Sequence, residues 1–431
     1  MRLFGTMVVD KNELVVGGVR TSDLVSKYGT PLYVMDEKLL RDTCKDYYEN
    51  FKCGEANNRV AFAGKAFLTV GMIKLINEEG LYLDVVSGGE LYTAYKSGIS
   101  MDKIYFHGSN KTLDEIELGV KLGVGRFVVD NLYEMEYLNR IASDNGVIQD
   151  IYLRITPGIE AHTHDYIKTG QIDSKFGFAP VNNIIMDSVN KAISLNNINL
   201  AGLHCHIGSQ IFDLDPYENA VEIMLSLINN IKKDTGYTIK ELDLGGGFGI
   251  YYTEDDNPKT TKEYCEIILN KVDEVCLELG IQKPILTIEP GRSIVGNAGL
   301  TLYKIGAIKD IPEVRKYVSV DGGMSDNIRP ALYKSSYECG IITKMSEERI
   351  DKVTIAGKCC ESGDILIEDV MLQKPRTGDT LAVMSTGAYG YSMSSNYNKI
   401  PRPAVVMVKD GQSRVIVKRE SYEDMIKNEI I

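Results

Sequence analysis

From residue 30 to about residue 290 the chain repeats one pattern, a short β-branched or apolar run followed by a charged segment of helical length. The candidate strands are LYVMD (32–36), VAFAG (60–64), YLDVV (82–86), IYFHG (104–108), RFVVD (126–130), IYLRI (151–155), GLHCHIG (202–208), ELDLG (241–245) and ILTIE (285–289). Between most of them lie segments such as KLLRDTCKDYYENF (38–51) and TKEYCEIILNKVDEVCLELG (261–280), with apolar residues at three- and four-residue intervals. Such alternation requires a parallel sheet with helical crossovers, because the chain must travel back along the sheet before each new parallel strand. An open doubly wound sheet and a closed (β/α)8 barrel both satisfy it. Length favours the barrel: with LYVMD as a lead-in, eight runs remain from VAFAG to ILTIE, within the ~250 residues usual for that fold.

After residue 295 the texture changes to short alternating strands separated by turn residues: GLTLYKIGAI, YVSVDGG, KVTIAGK, DTLAVMSTG, AVVMVKDG and SRVIVKRE. The expectation is an α/β chain with a TIM barrel over 32–290 and an all-β domain over 291–431, joined by the hairpin-like N-terminal strands of 1–31. The irregular stretch 156–180 is long for a loop inside a compact domain, which marks it as functional.

Sixty acidic against 48 basic residues give a formal net charge of −12, which repels nucleic acid and anionic membrane alike. A small anion remains possible, because local amides and arginines can hold one. No run approaches the ~18 apolar residues of a membrane span, and MRLFGTMVVDKNEL lacks the apolar core of a signal peptide. Eight cysteines without a CxxC pair read as reduced thiols, so a cytoplasmic protein is expected. HCH at 204–206 resembles a metal cluster, yet in a strand His204 and His206 face one side and Cys205 the other. Two histidines alone make a weak zinc site, and no metal is expected.

In a barrel, chemistry sits at the C-terminal ends of the strands. Those ends carry Lys65, Asp84 to Gly89, His107, Arg154, His206 with Ser209, Gly245 to Gly247, and Glu289 with Arg292. Lys65, in the apolar context FAGKAF, is either a desolvated amine able to form an imine with an aldehyde or a lysine snorkelling to solvent. GGGFG (245–249) lets backbone approach a ligand and offers amides to a phosphate, or is a simple tight turn. His206 could stack on a flat ring while Ser209 binds phosphate, unless the histidines are merely interior residues. Glu289 in EPGRS needs a cationic partner, which a protonated pyridine or Arg292 would supply. An imine-forming lysine, a phosphate cradle, a stacking histidine and a carboxylate for a pyridinium together match pyridoxal 5′-phosphate.

The ordered motifs DSKFGF (173–178), HCHIGSQ (204–210), LGGGFG (244–249), EPGRS (289–293), IRPALY (328–333), CESGD (360–364) and GAYGYSMSSNYN (387–398) resemble those of the diaminopimelate decarboxylases, within the alanine racemase-like, barrel-type pyridoxal-phosphate enzymes. The resemblance spans essentially the whole chain. It implies loss of CO2 from meso-diaminopimelate to give L-lysine, in a homodimer whose active sites draw residues from both subunits. It implies that Lys65 holds the cofactor as a Schiff base, that Gly245, Gly246, Gly247 and Ser209 bind its phosphate, and that Glu289 meets its pyridine nitrogen. His206 would stack on the ring, with Arg154 and Gly291 beside it. Arg292, Arg329, Tyr333 and Tyr389 would line the substrate or the cofactor edge. Glu361 would take the distal ammonium, and Cys360 would donate the proton. A decarboxylase of ornithine, arginine or carboxynorspermidine on the same fold would leave Arg329 without a distal carboxylate. A non-catalytic cofactor-binding regulator would have little use for Lys65 and Cys360. An amino-acid racemase would need a second base opposite the lysine.

Overall fold

The computed structural model describes residues 1–159 and 173–430. The chain divides into two compact units, one made of Thr43–Gly249 with Pro258–Gly291, the other of Met1–Asp42, Ile250–Asn257 and Arg292–Ile431.

The first unit is a closed barrel of eight parallel strands: Arg59–Ala63, Tyr82–Val85, Ile104–Phe106, Arg126–Val129, Gln149–Ile155, Ile198–Cys205, Glu241–Asp243 and Ile285–Ile288. The last strand closes on the first through Thr287 opposite Arg59 and Ile288 opposite Val60. The eight strands are those expected from VAFAG to ILTIE. Local sequence fixes the crossover helices. Thr112 and Glu115 form a reciprocal capping box at the start of helix Leu113–Leu122, and Gly123 ends it at φ +76. Thr260, Glu263 and Gly280 do the same for helix Thr261–Leu279.

The N-terminal ends of the barrel strands are tied by charge. Arg59, Arg126 and Glu241 each begin a strand, and the Glu241 carboxylate accepts hydrogen bonds from Arg59 Nη2 at 3.0 Å, Arg126 Nε at 2.9 Å and the Tyr152 hydroxyl. Burial alone would raise the Glu241 pKa, but the two guanidiniums bring it from 4.5 to about 2. A depressed carboxylate pKa adds stability above the unfolded value that is lost as pH falls through the folded one. This pair of values corresponds to roughly 3 kcal/mol, lost between about pH 4.5 and 2. Glu241→Gln is expected to destabilise the protein by about 3 kcal/mol at pH 7, by taking the shared countercharge from two half-buried cations. The gap from wild type in urea unfolding should narrow at pH 3.

The second unit is built on a nine-stranded sheet. Leu32–Asp36, expected as a lead-in to the barrel, belongs here: it pairs antiparallel with Gly299–Ile311 and parallel with Ala404–Lys409. All five residues of LYVMD are buried, and a strand covered on both faces has the same apolar signature in either sheet. The C-terminal strands read from the sequence are all present, together with Ile365–Gln373 and Cys339–Ile341, which that reading passed over. Val8–Asp10, Glu13–Val16 and Val19–Arg20 form a small antiparallel sheet, and Leu14 and Val16 share a core with Leu32, Leu300 and Val406.

Candidate active site

At the C-terminal end of the first barrel strand the chain enters a short 3-10 turn, Gly64–Ala66. Gly64, Ala66 and Phe67 are buried while Lys65 is exposed, so the apolar neighbours pack inward and leave the amine outside them. Of the two readings of Lys65, the solvent-exposed one agrees with this placement. Its positive charge acts on Asp84, Glu90 and His206. Gly291 backs the turn, where a Cβ would stand 2.8 Å from the Ala63 Cβ. Glu90, in the first turn of helix Gly88–Ser97, was not singled out in the sequence. Burial pushes it up to about 7, with Asp84 adding to the effect and the Val86 amide opposing it.

The turns after the sixth and seventh strands are zipped together. Ile211 donates its N–H to Gly247 O at 2.9 Å, and Gly249 donates back to Ile211 O at 3.1 Å. A Cβ at Gly246 would fall 2.2 Å from Glu289 O, and one at Gly247, at φ +107, would fall 2.5 Å from Gly208 O. These glycines are therefore required by close backbone approach. The amides are not all available to an anion: Gly245 N–H goes to Asp243 Oδ1 at 2.9 Å and Gly246 N–H to His206 Nδ1 at 3.3 Å. Gly247 N–H alone of the three has no partner among the described residues. Ser209 stands beside it in the zipped pair of turns, part-exposed.

Glu289, buried just past the last strand, is held between two imidazoles. His107 Nε2 lies 2.6 Å from Oε1 and His204 Nε2 lies 3.3 Å from Oε2. Burial favours the neutral acid, but the two histidines overcome it and keep the Glu289 pKa well below the carboxylate range. The sequence suggested His204 with His206. The structure pairs His204 with His107 instead, their ring centroids 4.8 Å apart, while His206 turns to the glycine loop. Desolvation and the cations of Lys65 and Arg154 hold His206 well below its ordinary value, leaving a neutral ring. His107, His204 and Glu289 offer donor atoms within 4.8 Å of one another, a set that could also receive a metal ion. Asp84 Oδ1, Asp130 Oδ1 and Asp243 Oδ2 are buried nearby along the strand ends without hydrogen-bond partners among the described residues. Arg154 lies with its guanidinium 4.3 Å from the centre of the Phe176 ring and 3.9 Å from Asp130, which gives the DSKFGF motif a supporting role. Residues 160–172 of the expected functional loop lie outside the described residues.

The second unit gathers a separate cluster. Arg292 and Arg329 are both buried, and each donates from Nη1 to the hydroxyl of Tyr252, at 2.7 and 3.0 Å. Arg329 also donates to the Tyr337 hydroxyl at 2.7 Å, and no carboxylate of a described residue pairs with it. The Tyr389 ring centre lies 4.9 Å from the Arg292 guanidinium, with Tyr389 in the left-handed region at φ +61, an uncommon conformation for an aromatic residue. Tyr333 completes the set, 5.9 Å from Arg329. Tyr252 and Tyr337 were missed in the sequence, where tyrosines carry no signal until arginines are seen to converge on them. Cys360 and Glu361 lie on an exposed loop pinned by buried Asp364, which accepts from Cys359 N at 2.7 Å and Met324 N at 2.6 Å. Asn398 Oδ1 accepts from Cys360 N at 2.7 Å.

Comparison with known proteins converges on one group. Residues 37–296 match the family model described as pyridoxal-dependent decarboxylase, pyridoxal binding domain. The chain is 50% identical to the diaminopimelate decarboxylase of Bacillus subtilis over 99% of its length and 98% of that protein. It is 49% identical to that of Halalkalibacterium halodurans, with the same coverage. The crystal structure of diaminopimelate decarboxylase from M. jannaschii superposes with a TM-score of 0.92 at 36% identity, covering 99% of this chain and 98% of that one. A strand order closing an eight-stranded barrel, a carboxylate fixed between histidines at its mouth and this near full-length similarity lead to one conclusion: the chain belongs to the diaminopimelate decarboxylase family of pyridoxal-dependent decarboxylases.

Proposed function

We propose that this protein converts meso-diaminopimelate to L-lysine and CO2 with pyridoxal phosphate, and the observation that carries the proposal is Glu289. A buried carboxylate with Oε1 outside any aligned hydrogen bond, kept ionised by His107 and His204, fits a protonated pyridine nitrogen. The glycine turns fit as well, since a Cβ at any of the three would strike backbone. When bound, the cofactor provides a conjugated, electron-accepting ring that takes up the electron pair released as the carboxylate leaves.

The chain's own residues do the rest. Lys65 would hold the cofactor covalently through its amine until the substrate binds. Ser209 with the Gly245–Gly247 turn binds the phosphate, chiefly through the amide of Gly247, because those of Gly245 and Gly246 are already engaged. Glu289 keeps the proton on the pyridine nitrogen. His206, neutral, covers the ring face, Arg154 stands beside it, and Gly291 lets the Lys65 turn pack closely. Arg292 and Arg329, with Tyr333 and Tyr389, receive the carboxylate at the non-reacting end of the substrate. Glu361 receives the distal ammonium, and Cys360 returns a proton to the reacting carbon on one face. A solved relative from M. jannaschii holds L-lysine, the product expected here.

The exposure of Cys360 and Glu361 on a loop fixed by Asp364 supports a homodimer in which each site is completed by the partner subunit. Eight cysteines, none of them in a disulfide, suit a reducing compartment, the cytoplasm. Among the described residues no helix is long and apolar enough to cross a membrane.

Incubation with meso-diaminopimelate and pyridoxal phosphate, followed by assay of L-lysine and CO2, tests the activity directly. Glu361→Gln is expected to raise KM by about tenfold with kcat within a few-fold of wild type, because charge at the distal end serves binding more than bond breaking. Arg329→Ala should act in the same direction. If L-ornithine or L-arginine is decarboxylated better than meso-diaminopimelate, the roles given to Glu361 and Arg329 are wrong.

A further inference from the structure

We infer that Tyr252 is the positioning residue that sets the spacing of Arg292 and Arg329 and thereby makes the site demand a carboxylate at the distal end of its ligand; the inference rests on the substrate reading above. Two buried guanidiniums side by side repel each other, and burial shields them from the screening of bulk solvent. The Tyr252 hydroxyl oxygen accepts from both, at 2.7 Å from Arg292 and 3.0 Å from Arg329. A phenol oxygen has two acceptor lone pairs, so the two arginines take its full accepting capacity. The two Nη1 atoms can then be no farther apart than the two bonds laid end to end. The ring is itself fixed, buried and edge-on to Tyr337 with centroids 5.4 Å apart. Burial would raise the Tyr252 pKa, but the two cations bring it below the usual phenol value, as expected of an oxygen that carries part of their countercharge. No carboxylate of a described residue pairs with Arg329, so the remaining donors of that guanidinium are left for a ligand anion. Without the shared oxygen, Arg329 keeps Tyr337 but loses the hydroxyl that links it to Arg292, and the spacing that lets the two converge on one carboxylate is no longer set.

The test compares ligands that differ only in that group. L-lysine keeps the distal carboxylate of the substrate; cadaverine lacks it. Both are titrated against the holoenzyme by the change in cofactor absorbance. In Tyr252→Phe the dissociation constant of L-lysine should rise about tenfold, a loss near 1.4 kcal/mol, and KM for meso-diaminopimelate should rise with it. Cadaverine should stay within about twofold, and kcat within about threefold. A purely structural role would weaken both ligands together, and that result, or an unchanged lysine constant, overturns the inference. Should the phenylalanine variant not fold, 4-aminophenylalanine at position 252 keeps the shape with a neutral, poorer acceptor, and the lysine-to-cadaverine ratio should shift the same way by about two- to threefold. An unchanged ratio there also overturns it. Because the ratio is an equilibrium measurement, it judges Tyr252 even if the wild type fails to decarboxylate meso-diaminopimelate, a result that would instead remove the substrate reading.

Discussion

Lys65→Ala is expected to lose the visible absorbance of the covalently held cofactor and to turn over on the order of 10³-fold more slowly, or worse. On the proposed reading two jobs fall on this amine, anchoring the cofactor and releasing it to the substrate, and alanine can do neither. The side chain is exposed, so alanine leaves no internal cavity and should not lower the melting temperature of the cofactor-free protein. The loss can therefore be assigned to chemistry and not to folding. Because the missing link is covalent, saturating with free pyridoxal phosphate should not restore the wild-type rate. Full activity in this variant would remove the proposed mechanism.

Mixing inactive Lys65→Ala with inactive Cys360→Ala under conditions of subunit exchange should restore about a quarter of wild-type activity. In a shared-site homodimer, a mixed pair places both defects in one site and neither in the other. Random exchange at equal amounts makes about half the dimers mixed, each with one good site of two. The observation behind this expectation is that Cys360 and Glu361 are exposed, yet their loop is rigidly built: Asp364 takes two backbone amides, and a Cβ at Gly357 would lie 2.2 Å from its Oδ2. A loop fixed this firmly while facing solvent is shaped to be presented to something. If exchange is demonstrated by mass or tag capture and activity stays at the level of the parents, Cys360 serves its own subunit and the shared-site reading fails.

The eight barrel strands were legible in the sequence because period and length are local properties, and so were the glycines of GGGFG and the charged residues at the strand ends. Capping boxes at Thr112 and Thr260 likewise write the start of a helix into four residues. Pairing between distant residues was not legible. LYVMD reads as a strand in any sheet, and only its hydrogen-bond neighbours at Gly299–Ile311 and Ala404–Lys409 removed it from the barrel. His204 was open to several partners until the closed barrel brought His107 to the same carboxylate. Tyr252 carried no signal at all, since a tyrosine matters here only through two arginines that lie 40 and 77 positions along the chain. The sequence by itself determined which elements form and which side chains end up at the strand termini, because backbone periodicity and capping act over a few residues. The tertiary structure decided which of those side chains hold one another ionised, exposed or spaced, because burial and charge pairing depend on distances that only the closed fold sets.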